Sequence, residues 1–400
     1  MPSLAILGGP PLRKRPFLRW PIFAEPDREA LLKTFESGEW GGYGPTVRQF
    51  EAEFAKAHDS LHGVSAANGT LSLEAALIAS GIRPEDEVIV PPISFVATAT
   101  AVLRVGAIPV FADIDLQTYN LDPTTVAAAI RPATKAIIPV HFAGHPADMD
   151  ALIPLAARHG LAVIEDCAHA HGASWKSRKV GSFGKFGSFS FQQSKNMTAG
   201  EGGILVTNEA SLAELAWSYG NQGRSPGGAW YQHDRLGTNF RLTSLQAALL
   251  RVQLEQLPMQ LEQRAKNAAR LRAGLGAASI LCAPEFDSRV TTHGLHLFVM
   301  RLNTERYPDL SRDQVAEALI AEGITGASYY PYPLYRNKLF QNYRHRVLPC
   351  PNAERMAREC LWLTNDVLLG SAEDVDDVLR AIAKVIEFAE ELIAVNTKSS

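Results

Sequence analysis

Lys195 lies in a segment whose residue types suit chemistry at an amine. Aromatic and small residues fill the preceding run, 187–194, and glycines cluster in the following run, 196–203. This pattern predicts a strand, a tight loop that carries the lysine, and a second strand. A lysine is more often a solvated surface charge, but burial lowers its pKa and leaves the neutral amine that Schiff-base chemistry uses. The alternative, Lys185, lies between glycines typical of an exposed hairpin turn, so we favour Lys195.

Asp166 directly follows the strand-like run 161–165, at the predicted end of a parallel strand. Ligands of parallel sheets bind at such strand ends, so this carboxylate is expected to face a ligand. If the ligand is pyridoxal phosphate, an ionised aspartate beside the ring nitrogen keeps that nitrogen protonated. A charge pair ~4 Å apart contributes roughly 4 kcal/mol at an effective dielectric constant of 20. The alternative is an aspartate that caps the next segment.

His169 lies three residues after Asp166 and is expected to hydrogen-bond or stack against the same ring. The alternative is a buried structural histidine. An Asp-x-x-His pair also suggests a metal site, but no further ligands follow at helical or loop spacing. The sequence therefore predicts no metal.

A helix is expected to begin near Leu71, just after Gly69 and Thr70. Exposed N–H groups at a glycine-containing helix start suit a phosphate, and the Ser190 hydroxyl is a further candidate ligand. The alternative for this motif is an ordinary helix cap. Phe95, at another strand end, is expected to stack on a flat ring, or else to pack in the core.

Strand and helix patterns alternate between residues 60 and 210, which predicts an α/β fold with a mostly parallel sheet. The predicted strands are 87–90, 108–112, 136–140, 161–165, 188–191 and 203–206. The predicted helices are 71–80, 95–105, 124–130 and 149–159. The last two strands are too close for a crossover helix, so one of them is expected to be antiparallel.

The chain length favours two domains. A large α/β domain with an N-terminal arm is predicted over 1–255, and a smaller α+β domain over 256–400. The later part is predicted to hold helices over 245–275, 314–322, 352–362 and 373–394, with a kink or break at Pro258.

Composition excludes several partners. The net charge is −3, which provides no positive field for nucleic acid or anionic membranes. No apolar run approaches the ~20 residues that span a bilayer. The four cysteines are sparse and lack metal-binding spacing, so a reduced, cytoplasmic protein is expected.

These motifs together resemble the DegT/StrS family of sugar and cyclitol aminotransferases, within fold type I of the pyridoxal-phosphate enzymes. The resemblance is carried by segments along nearly the whole chain: 44–51, 68–70, 92–98, 165–169, 188–191, Lys195 with 198–203, and 239–247.

The resemblance implies roles for individual residues. The lysine holds pyridoxal 5'-phosphate as a Schiff base, and Asp166 pairs with the pyridine nitrogen. Gly69, Thr70 and Ser190 bind the phosphate, while Phe95 stacks on the ring. Asn239 is implied to reach the phosphate of a second subunit, which requires a homodimer with shared sites.

Finer features resemble one branch of the family. The segment 190–203, with His169 where many nucleotide-sugar members have glutamine, is similar to glutamine-dependent scyllo-inosose aminotransferases and to 3-amino-5-hydroxybenzoate synthase. The implied reaction moves an amino group from L-glutamine or L-glutamate to a cyclic keto-polyol. Tyr330, Tyr332 and Tyr335 are candidate substrate contacts, or else pack at a domain interface.

Two alternatives remain open from the sequence. One is an enzyme like 3-amino-5-hydroxybenzoate synthase. The other is a non-catalytic regulator on the same fold, which the presence of Lys195 and Asp166 disfavours.

Overall fold

The structure, a computed structural model, describes residues 3–276 and 279–396. Its strands, numbered in chain order, are β1 His62–Ala66, β2 Glu87–Val90, β3 Ile108–Phe111, β4 Thr134–Ile137, β5 Ala162–Asp166, β6 Ser174–Trp175, β7 Arg178–Lys179, β8 Phe186–Ser190, β9 Gly203–Thr207, β10 Leu281–Cys282, β11 Val290–Thr292, β12 Phe298–Leu302, β13 Arg346–Val347 and β14 Cys360–Leu363.

The helices of the described residues are α1 Glu25–Glu36, α2 Pro45–Ala57, α3 Gly69–Ala79, α4 Ala97–Arg104, α5 Pro123–Ala129, α6 Met149–His159, α7 Ala210–Gly220, α8 Ser244–Gly274, α9 Arg312–Ala321, α10 Pro351–Glu359, α11 Asn365–Leu368, α12 Ala372–Glu387 and α13 Ala389–Asn396. None of them is long and apolar enough to cross a lipid bilayer.

Eight strands form the central sheet, in the order β1-β9-β8-β5-β4-β2-β3-β13. Strands β13, β3, β2, β4, β5 and β8 pair in parallel, whereas β9 pairs antiparallel with both β8 and β1. The expected antiparallel strand is therefore confirmed. Strands β2, β5, β8 and β9 are buried at every residue, as a sheet covered on both faces requires.

Sequence prediction located most elements of the sheet but misread two later features. The segment 352–362 was expected to be helical throughout, yet α10 ends at Glu359 and β14 begins at Cys360. Pairing with β12 overrides the helical pattern there. Helix α8 continues through Pro258, so the predicted break is absent.

A separate hydrophobic core lies in the later part of the chain. It joins the second half of α8 with α9, α12 and the three-stranded sheet β10-β12-β14. The proposed domain boundary after residue 255 falls inside α8, and the division into 1–255 and 256–400 stays a prediction.

The N-terminal arm packs against this later core. The buried Arg13 guanidinium donates to Asp374 (2.8 Å) and Asp377 (2.6 Å) on α12. Glu322 accepts bonds from the backbone N–H groups of Ala5 and Leu12, both at 2.8 Å. These contacts hold the arm so that its next residues, 18–20, reach the cavity described below.

The buried His58 makes the folded state sensitive to acid. Its Nδ1–H donates to the Phe54 carbonyl (3.0 Å) and its Nε2 accepts from Gly172 N–H (3.1 Å), so the ring is neutral. Burial lowers its pKa from 6.5 to about 4. The unfolded chain binds a proton more readily over this window, so stability is full above pH 6.5 and falls towards pH 4, by roughly 1.4 kcal/mol per pH unit.

We therefore expect His58→Phe to show a shallower loss of unfolding free energy than the unmodified protein between pH 6.5 and 4. Urea unfolding at several pH values measures this slope. Because other buried histidines contribute to both proteins, the difference isolates His58. The same replacement at exposed His159 is the control, and equal slopes for both variants and the parent would contradict the assignment.

Candidate active site

A cavity of about 1210 Å³ opens at the carboxyl ends of the parallel strands. It collects most of the residues singled out from the sequence: Gly69, Thr70, Phe95, Asp166, His169, Ser190, Lys195 and Tyr330. Lys185, the alternative lysine, does not line it. Segments more than 100 residues apart thus meet at one edge of the sheet.

Lys195 occupies the loop between β8 and β9, as the glycine pattern predicted. The backbone N–H of Lys195 donates to the Gln192 carbonyl (2.9 Å), which makes the turn tight. Burial lowers the pKa of its amine from 10.5 to about 8, and the nearby Asp166 carboxylate opposes this change. With this pKa, roughly a tenth of the amine is neutral at pH 7. The neutral amine is the form that nucleophilic chemistry requires.

Asp166 is the last residue of β5 and is 5% exposed. The Thr98 hydroxyl donates to Oδ2 (2.8 Å) and the Ala168 N–H to Oδ1 (3.2 Å). Burial raises the pKa of this carboxyl, while those two donors and the Lys195 charge lower it. The carboxylate is held by neutral donors and turned to the cavity, which suits a cationic ligand group.

The N-terminus of α3 forms another wall of the cavity. Asn68 caps this helix by accepting from Leu71 N–H (2.9 Å), so the cap predicted as an alternative is present. The cap leaves N–H groups of the first turn without a helical partner. A Cβ at Gly69 would lie 2.8 Å from the Cβ of Ser190, so only glycine permits this close approach. The walls therefore combine helix N–H groups with a hydroxyl, as an anion site does.

Phe95 and His169 offer aromatic surfaces to the cavity. Phe95 is 59% exposed rather than packed in the core. His169 packs against His296 with ring centroids 4.4 Å apart and the ring planes tilted by 39°, and its Nδ1 accepts from Ala143 N–H (3.3 Å). Burial lowers its pKa well below 6.5, so the ring is neutral and carries its hydrogen on Nε2.

The three candidate tyrosines lie in different places. Tyr330 lines the cavity and packs edge-on against Trp362 (4.9 Å). The Tyr335 hydroxyl donates instead to Glu354 (2.6 Å), and Tyr332 is 44% exposed outside the cavity lining. Of the three, only Tyr330 therefore lies in position to touch a ligand of this chain.

Asn239 is exposed and does not line the cavity of its own chain. It forms an isolated backbone bridge with Asn221, close to the exposed loop that carries Trp230 and Tyr231. A contribution to the site of a second subunit stays a prediction.

Sequence reasoning missed several cavity residues because they come from distant segments. Trp20 arrives from the N-terminal arm, while His296, Asn365 and Asp366 come from the later part of the chain. Thr98 lies in the segment 92–98, and its contact with Asp166 follows from α4 starting at the cavity edge.

Behind the cavity, His141, Glu165 and Cys167 bring potential metal-ligand atoms within 4.8 Å of one another. Their polar atoms already have partners. His141 Nε2–H donates to Glu165 (3.0 Å) and its Nδ1 accepts from Ala147 N–H (2.9 Å). Glu165 also accepts three backbone N–H bonds, each of 2.8 Å. This arrangement fits a hydrogen-bond network that anchors the end of β5 better than a metal site.

Comparison with known proteins identifies the class. Residues 21–383 match the DegT/DnrJ/EryC1/StrS aminotransferase family. The chain belongs to this family, and it is a fold type I aminotransferase that depends on pyridoxal phosphate. The fold class and enzyme class predicted from the sequence are thus confirmed, and the non-catalytic alternative finds no support.

The chain is 39% identical to a protein of Streptomyces lividus named L-glutamine:2-deoxy-scyllo-inosose aminotransferase, over 98% of this chain and 99% of the relative. It is 36% identical to the 3-amino-5-hydroxybenzoate synthase of Amycolatopsis mediterranei, over 94% of this chain and 98% of the relative. A crystal structure of 3-amino-5-hydroxybenzoic acid synthase superposes with a TM-score of 0.88 at 34% identity, covering 94% of this chain and 100% of that one.

Proposed function

We propose that this enzyme transfers an amino group from L-glutamine or L-glutamate to the ketone of a cyclic keto-polyol, a scyllo-inosose-like cyclitol or a keto-sugar, in aminocyclitol or antibiotic biosynthesis. The observation that carries the proposal is the shared cavity of Lys195, with a lowered amine pKa, and the buried Asp166 carboxylate. The names of similar proteins support the cyclitol and the amide donor.

The residues of the cavity fit the cofactor that the family uses. Pyridoxal phosphate, when bound, supplies an electrophilic carbon for amines and a ring that accepts electrons from the carbon attached to the amino group. Gly69, Thr70 and Ser190 would hold its phosphate, and Phe95 and His169 its ring. Asp166 would hold the proton of the ring nitrogen.

Besides its implied role as the attachment point of the cofactor, Lys195 is proposed to act as a base. Its Nζ is proposed to remove the proton from the donor Cα and to return a proton during amination of the ketone. A pKa of about 8 allows the amine to take up and release a proton near neutral pH. Such general acid–base help contributes about a hundred- to ten-thousand-fold.

The polar side of the cavity is suited to a polyol. Thr364 donates to Asp366 Oδ1 (2.6 Å), and Ser328 and Tyr330 lie on the same lining. Hydroxyl and carboxylate groups of this kind satisfy ring hydroxyls by hydrogen bonding. A second candidate function is that of an enzyme like 3-amino-5-hydroxybenzoate synthase, in which the acceptor would be an aminoshikimate-type ring ketone. The similarity in sequence and structure to that enzyme supports this alternative.

We also propose a homodimer in the cytoplasm. Trp230, Tyr231 and Leu236 are 79%, 78% and 92% exposed, and the loop that bears them leads to Asn239. Large exposed apolar groups of this kind favour burial against a second copy. The four cysteines are free thiols, as a reducing compartment favours.

A single-turnover experiment tests the substrates. Holoenzyme mixed with L-glutamine or L-glutamate is expected to release about one 2-oxo acid per subunit. Added keto substrates should then receive the amino group, with scyllo-inosose-type rings reacting faster than nucleotide-linked keto-sugars or an aminoshikimate-type ketone. Mass spectrometry identifies the amine product. Reaction with only the aminoshikimate-type ketone would favour the second candidate, and no 2-oxo acid from any donor would overturn the proposal.

A further inference from the structure

Two side chains from distant parts of the chain hydrogen-bond to backbone carbonyls of the loop that carries Lys195. Trp20 Nε1–H donates to the Gln193 carbonyl (2.8 Å). Asn365 Nδ2–H donates to the Ser194 carbonyl (2.6 Å), directly before the lysine. Two consecutive carbonyls directly before the lysine are thus held by side chains from positions 20 and 365, which are far from the loop in the sequence.

Asn365 is oriented by a buried guanidinium. Arg264 Nη1–H donates to Asn365 Oδ1 (2.5 Å) and also to the Leu295 carbonyl (3.2 Å). Arginine has donors only, so the amide oxygen must face it and the amide NH₂ must face the Ser194 carbonyl. The hydrogen bond from Arg264 to the Asn365 oxygen therefore determines that the Asn365 NH₂ group faces the Ser194 carbonyl.

The charge on Arg264 is not explained by packing alone. The side chain is fully buried, and burial lowers its pKa to about 9 with no opposing carboxylate. Its Nε and Nη2 have no hydrogen-bond partner among the described residues. A buried cation without a carboxylate is destabilising.

Neighbouring Asn267 shows that a neutral side chain is sufficient to join these segments. It lies on the same helix, α8, and donates to the carbonyls of Leu368 (2.9 Å) and Gly370 (2.8 Å) at the end of α11. Neither of these hydrogen bonds goes to the loop of Lys195. The charged residue is thus found where the hydrogen-bond chain leads to that loop.

We propose that Arg264 and Asn365 are positioning residues, which hold the Ser194 carbonyl and thereby direct the Lys195 amine into the cavity. Arg264 fixes the amide, and the amide fixes the backbone beside the lysine. The inference rests on the proposed role of Lys195, but its test includes a property of the protein without cofactor.

The test compares Asn365→Ala and Arg264→Leu with Asn267→Ala as the matched control. In cofactor-free protein, the rate of Lys195 modification by an amine reagent is measured against pH, and peptide mass spectrometry identifies the site. The charged or titratable neighbours of Lys195 are Asp166, His169, His171 and His296, and all of them stay in place. Unfolding in urea reports the stability of each variant.

Both test variants are expected to raise the Lys195 pKa from about 8 towards 10.5, because a released loop lets water reach the amine. A displaced amine should also lower kcat of the holoenzyme by about 100-fold. Asn267→Ala should lose comparable stability with an unchanged Lys195 pKa. Because the two residues act in series, the double variant should lose no more activity than Arg264→Leu alone.

An unchanged Lys195 pKa in Asn365→Ala, or an equal loss of kcat in Asn267→Ala, would overturn the inference. If Arg264→Leu does not fold, Asn365→Ala, with Asn267→Ala as its control, decides the inference alone. Borohydride treatment of the unmodified holoenzyme is a separate check. If borohydride does not fix the cofactor on Lys195, the proposed function is contradicted. The pH dependence of Lys195 modification in the cofactor-free protein tests only the positioning role of Arg264 and Asn365.

Discussion

Lys195→Ala is expected to lower kcat for amino transfer by at least about 10,000-fold, because this one side chain is proposed to supply both the attachment point of the cofactor and the proton-transfer group. Loss of either role alone would slow the reaction, and alanine removes both. The variant should also lose the visible absorbance of covalently attached cofactor. Steady-state glutamine consumption and the absorption spectrum of the purified protein measure the two effects.

Lys185→Ala is the matched control. Lys185 lies just before β8, the strand that leads to the loop of Lys195, but does not line the cavity. Its replacement is expected to leave kcat within about two-fold, as for a surface change away from the site. Borohydride fixation of the cofactor on Lys185, or full turnover by Lys195→Ala, would refute the assignment of Lys195.

Residues near strand ends were predictable because parallel strands place their carboxyl ends at one edge of a sheet. Asp166 ends β5, and Lys195 follows β8, the strand paired with it. Knowing only that these strands run parallel brings both side chains to the same cavity. Most of the cavity residues named from the sequence could therefore be predicted from their positions next to strand ends.

Residues from distant segments were not predictable in this way. Nothing in the local pattern around Trp20 or Asn365 indicates that each donates to a carbonyl beside Lys195. The aromatic loop 329–335 illustrates the same limit. Its tyrosines look equivalent in the sequence, but the Tyr335 hydroxyl is bound by Glu354 on α10, and only Tyr330 reaches the cavity.

Secondary structure failed where tertiary pairing decided it. Strand β1, His62–Ala66, was not predicted because its sequence, with His62 and Gly63, has little strand character. It forms by pairing along its whole length with β9 at the edge of the sheet. Such pairing depends on residues about 140 positions away, which no local window contains.

Asp166→Asn is expected to separate activity from stability. The amide keeps the shape of the side chain and can still accept from Thr98, but it lacks the charge that is proposed to hold a proton on the ring nitrogen. A loss of roughly 4 kcal/mol corresponds to a decrease in kcat of about 1000-fold. Burial already raises the pKa of this carboxyl, so the neutral amide should leave the cofactor-free protein at least as stable in urea.

The same variant has a second readout at Lys195. The Asp166 carboxylate raises the pKa of that amine against the effect of burial, so its neutralisation should lower the pKa below about 8. The pH dependence of Lys195 modification in cofactor-free protein measures this change. Asp166→Glu keeps the charge and should retain the higher Lys195 pKa while losing kcat through displaced geometry. A Lys195 pKa that does not respond to Asp166→Asn would mean that the two groups are not electrostatically coupled across the cavity.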